Sequence, residues 1–260
     1  ALAIAAHIPD PIRKDICLLQ LSLAKDPKAS LAETAIEGVI ADTSASPRNR
    51  CFHLVNIASV LIDAWEANGR HSVQLEVKAE EALDAAVSLS NGVREHEKGC
   101  LYGSTLSRIA AQKGRLGNQL KQCFDLFSQA RASVRSGAFY EKALVEFSII
   151  DAYLLWGNRQ RAIELLNDLS DENPQMMTYP GKFAKYYART GLLVKAVQYM
   201  KIAGKAHIGN DVEKLAGLYC ENVKQADPAD VAELLPRIVS PDCRRFLVNG
   251  SLQSRLLLCK

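Results

Sequence analysis

Apolar residues recur three and four positions apart along most of the chain. Ile16, Leu19 and Leu23 keep this step, as do Leu54, Ile57, Leu61 and Trp65, and such spacing lays one apolar stripe along an amphipathic helix. Sustained apolar–polar alternation is nearly absent. No Asn-Gly or Asp-Gly pair stands between β-branched runs, so hairpins of strands are not expected. Residues that end or start helices fall roughly every 13 to 23 positions. They are Asp26-Pro27, Ser46-Pro47, Gly69, Asn91-Gly92, Gly114, Gly137, Gly157, Asn173-Pro174, Gly191, Gly209-Asn210, Asp227-Pro228 and Ser240-Pro241. The pattern predicts an all-α chain of paired helices. The expected hairpins are 12–42, 48–90, 96–135, 139–173, 179–208 and 211–239, with capping helices over 241–260, in a single domain spanning 1–260.

A repeat emerges in the second half. A shift of 34 residues superposes Tyr153 on Tyr187, Gly157 on Gly191 and Ala162 on Ala196, with Ile149 on Phe183, Ile163 on Val197 and Leu166 on Met200. The three identities have separate geometric reasons. Glycine takes the left-handed conformation that ends one helix and turns the chain back. Alanine five residues later lets the second helix press close to the first, and the aromatic before the glycine fills the space between the pair.

These residues resemble the tetratricopeptide repeat, whose pattern sets a large residue, an aromatic, Gly, Ala, another large residue and a late Pro over 34 positions. The slots hold Ile149, Tyr153, Gly157, Ala162, Leu166, Leu169 and Pro174, and then Phe183, Tyr187, Gly191, Ala196, Met200 and Ala203, with Ile208 in place of the closing Pro. Glu146 and Pro180 stand where the family has Trp. The resemblance covers about 143–210. Upstream, looser hairpins run through Leu61, Trp65 and Gly69 to Ala79, Leu83 and Ala86, and through Leu106, Ala110 and Gly114 to Leu120, Cys123 and Phe127. The resemblance implies a right-handed α-α superhelix: one hairpin cannot bury both its faces, so hairpins stack into a curved rod whose first helices line a concave groove.

Composition changes this picture little. Apolar residues are 48% of the chain and charged residues 23%, which excludes disordered and low-complexity classes. A net charge of +3 is too small to argue for nucleic acid or membrane. The 7 cysteines (Cys17, Cys51, Cys100, Cys123, Cys220, Cys243, Cys259) form no CxxC pair. They read as free buried thiols of a reducing compartment, the cytoplasm. No stretch approaches the roughly 20 apolar residues of a membrane span. Ala1 to Ala6 reads as the end of a helix, so a processed form or a piece of a longer chain is expected.

Motifs for catalysis do not appear. Ala203-Gly204-Lys205 lacks the glycine spacing of a phosphate loop. His96-Glu97 has no second His at the zinc-site step. Gly99 to Gly103 reads as a small-residue stretch of a helix, not a nucleophile elbow. His7, His53, His71, His96 and His207 are far apart in sequence. No enzyme activity, metal or cofactor is expected.

Charge distribution does point to a surface. No acidic residue lies between Glu172 and Asp211, while Lys182, Lys185, Arg189, Lys195, Lys201 and Lys205 do; Glu97 to Asp125 likewise spans Lys98, Arg108, Lys113, Arg115 and Lys121. Lys182, Lys185 and Arg189, at i, i+3 and i+7, share one helical face. In the family that face lines the groove. The corresponding slot of the other units holds Arg108, Asp151 and Asp63. The expectation is a protein–protein interaction scaffold that binds a peptide, acidic in character, through Lys182, Lys185, Arg189, Arg108 and Asp151. A ligand-sensing regulatory module of a larger signalling protein is the alternative. An RNA-binding helical array is disfavoured by the acidic segments 33–97 and 136–172. Lys195, Lys201 and Lys205 read as solvated cations of a second helix, and Trp65, Tyr153, Trp156 and Tyr187 as packing residues.

Overall fold

The computed structural model describes residues 30–117, 120–173 and 179–202. Among them every regular element is α-helical. Two compact units divide the chain, Ala1–Gly157 and Asn158–Lys260. The first expected helix of the 12–42 hairpin, the 211–239 hairpin and the 241–260 caps lie outside the described residues, as do Pro174, Ala203 and Ile208.

The first unit holds α1 (Ser30–Ala41), α2 (Pro47–Ala67), α3 (Val73–His96), α4 (Gly99–Leu116), α5 (Leu120–Ala132) and α6 (Phe139–Leu155). Helix α2 starts where Ser46 Oγ accepts from the Asn49 amide at 3.2 Å and Pro47 fills the first turn, a position that wants no N–H donor. Its end is closed by Gly69 and Arg70, both at φ 64, with the Arg70 amide donating to Trp65 O at 2.9 Å. Helix α4 is central: it packs against α2, α3, α5 and α6. Leu106, Ile109 and Ala110 on α4 meet an interior built from Leu54, Ile57 and Leu61 of α2, Leu83 and Ala86 of α3, and Val145 and Ile149 of α6, all buried.

Two expected breaks fall elsewhere. Asn91-Gly92 lies inside α3, which continues to His96. Burial of Val93 and Ser90 carries the helix past a pair that in isolation favours a turn, and Gly92 sits against Pro47, where an added Cβ would stand 3.2 Å from its ring. Gly114 is also helical; the chain turns at Gly117, φ 82. Gly114 faces the Trp156 indole so closely that a Cβ would overlap the ring. Trp156 Nε1 donates to Ala111 O at 2.7 Å, and the Trp156 ring lies 5.6 Å from Phe127 and 5.4 Å from Tyr153. Gly114 is therefore a site of close approach between α4 and the end of α6.

The second unit holds α7 (Arg159–Asp171), α8 (Pro180–Arg189) and α9 (Leu193–Ile202). Helix α8 packs against α7 and α9. Its core is aromatic: Phe183 lies 4.9 Å from Tyr199, and Tyr187 5.4 Å from Tyr199. Tyr187 OH donates to Asn167 Oδ1 at 3.2 Å, and the Ser170 and Tyr199 hydroxyls share a hydrogen bond. Gly157 and Gly191 take φ 75 and 77, and each precedes a helix by two residues. Ala162 and Ala196 are fully buried. At the paired glycines and alanines the 34-residue correspondence is matched by similar φ and by full burial of both alanines, whereas Tyr153 is half-buried and Tyr187 buried.

Candidate functional site

Helix α8 begins at Pro180, with Tyr179 before it at φ 56 and no side-chain cap. One side of the helix is buried through Phe183, Ala184, Tyr187 and Ala188. The other carries the expected cations. Lys182 and Lys185 are exposed and Arg189 is half-buried, so the i, i+3, i+7 stripe does share a solvent-facing side. Lys182 Nζ stands 4.9 Å from the Tyr179 ring centre, and Arg189 Cζ 5.4 Å from that of Tyr186. A cation over an aromatic face is attracted by the ring quadrupole, which limits the rotamers of both side chains and holds their charge near the helix.

On α9, Lys195 is exposed, donates to Asn167 Oδ1 at 3.1 Å and lies 5.4 Å from the Tyr187 ring. Lys205 and the side chain of Lys201 lie outside the described residues. Tyr187 is buried among these groups. Burial pushes its hydroxyl up to about 12, against the opposing influence of the Ser170 hydrogen bond, so it stays a neutral donor. Among the described residues of this unit, Tyr186, Tyr187 and Tyr199 are buried, stacked on one another or under cations, and do not offer open faces to bases.

Arg108 and Asp151 belong to the first unit, and Lys182, Lys185 and Arg189 to the second. Arg108 is exposed on α4, with Cζ 5.6 Å from the ring of Phe52 on α2, itself 45% exposed. Asp151 is half-buried on α6. Asp63, in the corresponding slot of α2, accepts from Arg115 Nη2 at 2.6 Å.

Two cations of the 97–125 run are spent inside the unit. Lys113 is 2% exposed and bonds Asp84 Oδ1 at 2.6 Å. Arg115 Nη2 bonds both Asp63 and Glu66, the latter at 2.5 Å. These ties join α4 to α3 and α2, so the run is not one basic surface. Periodicity carried part of this signal: Lys113 falls in the apolar register of α4 with Leu106, Ile109 and Ala110.

Thiol chemistry is suppressed at two cysteines. Burial pushes Cys51 and Cys123 up to about 11, leaving them protonated near neutrality and poor nucleophiles. Among the described residues, no group of 3 or more His, Cys, Asp or Glu side chains could hold a metal ion, and no helix is long and apolar enough to cross a membrane. No protein-family model, curated protein or solved structure matches the chain.

Proposed function

We propose that the chain is a protein–protein interaction scaffold, a right-handed superhelix of tetratricopeptide-like hairpins that binds an acidic peptide. The observation that carries this reading is the α8 stripe. Lys182, Lys185 and Arg189 share the solvent side of a helix whose other side is packed, in a hairpin with no acidic residue between 179 and 202. An exposed ammonium or guanidinium can make a charge-assisted bond to a carboxylate, and Lys185 is exposed in the middle of this stripe. Equal turn conformations at Gly157 and Gly191 support the repeat. In the other unit α4 touches both α2 and α6, the adjacency expected of first helices that line one groove. Free, buried Cys51, Cys100 and Cys123 fit a reducing compartment, and we place the protein in the cytoplasm. The role is binding, without turnover.

The test is the double substitution Lys185→Glu, Arg189→Glu, titrated with a library of acidic peptides. A loss of affinity of about tenfold or more is expected, since close charge pairs at an interface are worth roughly 1.5 kcal/mol or more. Lys121→Glu, an exposed charge reversal on α5, serves as the control. Equal binding by the double variant and the wild type would overturn the reading.

A further inference from the structure

Helices α2 and α4 of the first unit pack together, and two arginines of α4 meet α2 in different ways. Phe52, Asn56 and Asp63 lie along one face of α2, and Arg108 and Arg115 along one face of α4, by their helical spacing. At Arg115 the α2 side is acidic: Nη2 bonds Asp63 at 2.6 Å and Glu66 at 2.5 Å, and the guanidinium is satisfied inside the unit. Two turns earlier, at Arg108, α2 offers Phe52 instead, with Cζ 5.6 Å from the ring centre. Arg108 is exposed, and among the described residues it has no carboxylate at ion-pair distance. Phe52 keeps 45% of its surface in water. A guanidinium stacked on a ring uses its face, so the fork of N–H donors along its edge remains available. The ring also restricts the arginine's rotamers, and less freedom is lost when the fork is filled. Arginine and an aromatic side by side on the surface are the residue types enriched at interfaces.

We infer that the Arg108–Phe52 pair is a recognition point for a partner peptide in which a carboxylate side chain stands beside an apolar one. The inference rests on the scaffold reading and deepens it, by assigning a contact in the first unit and naming the peptide chemistry that fits there. The carboxylate takes the fork, with two N–H groups donating to its two oxygens. The apolar neighbour covers the bare part of the Phe52 ring. Asn56, half-buried one turn after Phe52, supplies an amide to the peptide backbone. Charge selects a carboxylate over a phosphate. One guanidinium balances one negative charge, whereas a phosphate near dianionic at neutral pH fits a cluster of arginines, and Asp63 already stands on the same face of α2.

The probe is a short N-acetylated, C-amidated peptide with one Glu beside one Phe in an Ala/Ser background, titrated into the full chain by fluorescence anisotropy. Comparison peptides carry Gln for the Glu, Ala for the Phe, or phosphoserine for the Glu. The wild type is expected to bind the Glu–Phe peptide about tenfold or more tighter than the Gln peptide, the scale of a close charge pair at an interface. Arg108→Ala should lose about the same factor, and Phe52→Ala about fivefold or more. Arg108→Lys keeps the charge without the fork and should lose most of the affinity. If Arg108→Ala loses its helical circular dichroism, Arg108→Gln takes its place. No binding of the Glu–Phe peptide, equal binding of the Glu and Gln peptides, or wild-type affinity in Arg108→Ala overturns the inference. Wild-type affinity in Arg108→Lys, or tighter binding of the phosphoserine peptide, overturns it as well. The Lys185→Glu/Arg189→Glu variant tells this contact from the α8 stripe, and it should bind the Glu–Phe peptide as the wild type does. Loss there with wild-type affinity in Arg108→Ala keeps α8 and overturns the contact proposed here; loss in Arg108→Ala alone keeps this contact even when α8 fails its own test.

Discussion

Gly114 shows how a single missing methyl can organise a contact. With hydrogen at that position the Trp156 indole lies directly on α4, and its Nε1 reaches the Ala111 carbonyl at 2.7 Å. Gly114→Ala places a Cβ inside the ring, and the ring is held by Phe127 and Tyr153. A destabilisation of about 1–3 kcal/mol is expected from such overpacking, read by urea unfolding. The Trp156→Leu background identifies the cause: there Gly114→Ala should cost nothing or stabilise by up to about 1 kcal/mol, the helix preference of alanine over glycine. An equal cost in both backgrounds would remove the steric account. Lys113 teaches a related lesson about charge. Its ammonium is enclosed and tied to Asp84, so a residue that counts as a surface cation by composition works as an internal strut.

At the scale of elements, helices are set by local chemistry and their ends by backbone geometry. Ser46-Pro47 starts α2 through a cap and a proline that needs no partner. Gly157 and Gly191 turn the chain at nearly equal φ. A Cβ at Gly157 meets nothing within 4 Å, so the cost of Gly157→Ala is conformational and expected near 1 kcal/mol. Gly157→Asn should cost less, because asparagine tolerates the left-handed region. Thermal or urea unfolding of the two variants checks this, and an alanine variant as stable as the wild type would contradict it. Much of this level was readable from the sequence, since amphipathic spacing and turn residues act within a few positions. Asn91-Gly92 and Gly114 lie inside helices, against the turn their residue types predict, for one reason. Glycine marks a turn and a close approach alike, and only the neighbouring helix, here the Pro47 ring or the Trp156 indole, distinguishes them.

For the molecule as a whole, the deciding quantity is how charge is distributed among the elements. Arg115 satisfies Asp63 and Glu66, Arg131 pairs with Glu146 at 2.6 Å, and Arg161 pairs with Glu164 at 2.7 Å. The α8–α9 hairpin has no acid of its own. A binding reaction at α8 is therefore expected to be salt-dependent, losing about tenfold in affinity for an acidic peptide between about 50 mM and about 500 mM salt. Salt-independent affinity in a fluorescence titration would assign the binding energy to apolar contacts instead. By itself the sequence determined the helical class, the 34-residue correspondence and the solvent-facing stripe Lys182, Lys185 and Arg189, because all three follow from periodicity along the chain. Tertiary structure alone decided that α3 runs through Gly92, that Gly114 receives an indole, and that Lys113 and Arg115 are enclosed. Those outcomes depend on which side chains meet across tens of residues, and a pattern of near neighbours carries no record of such meetings.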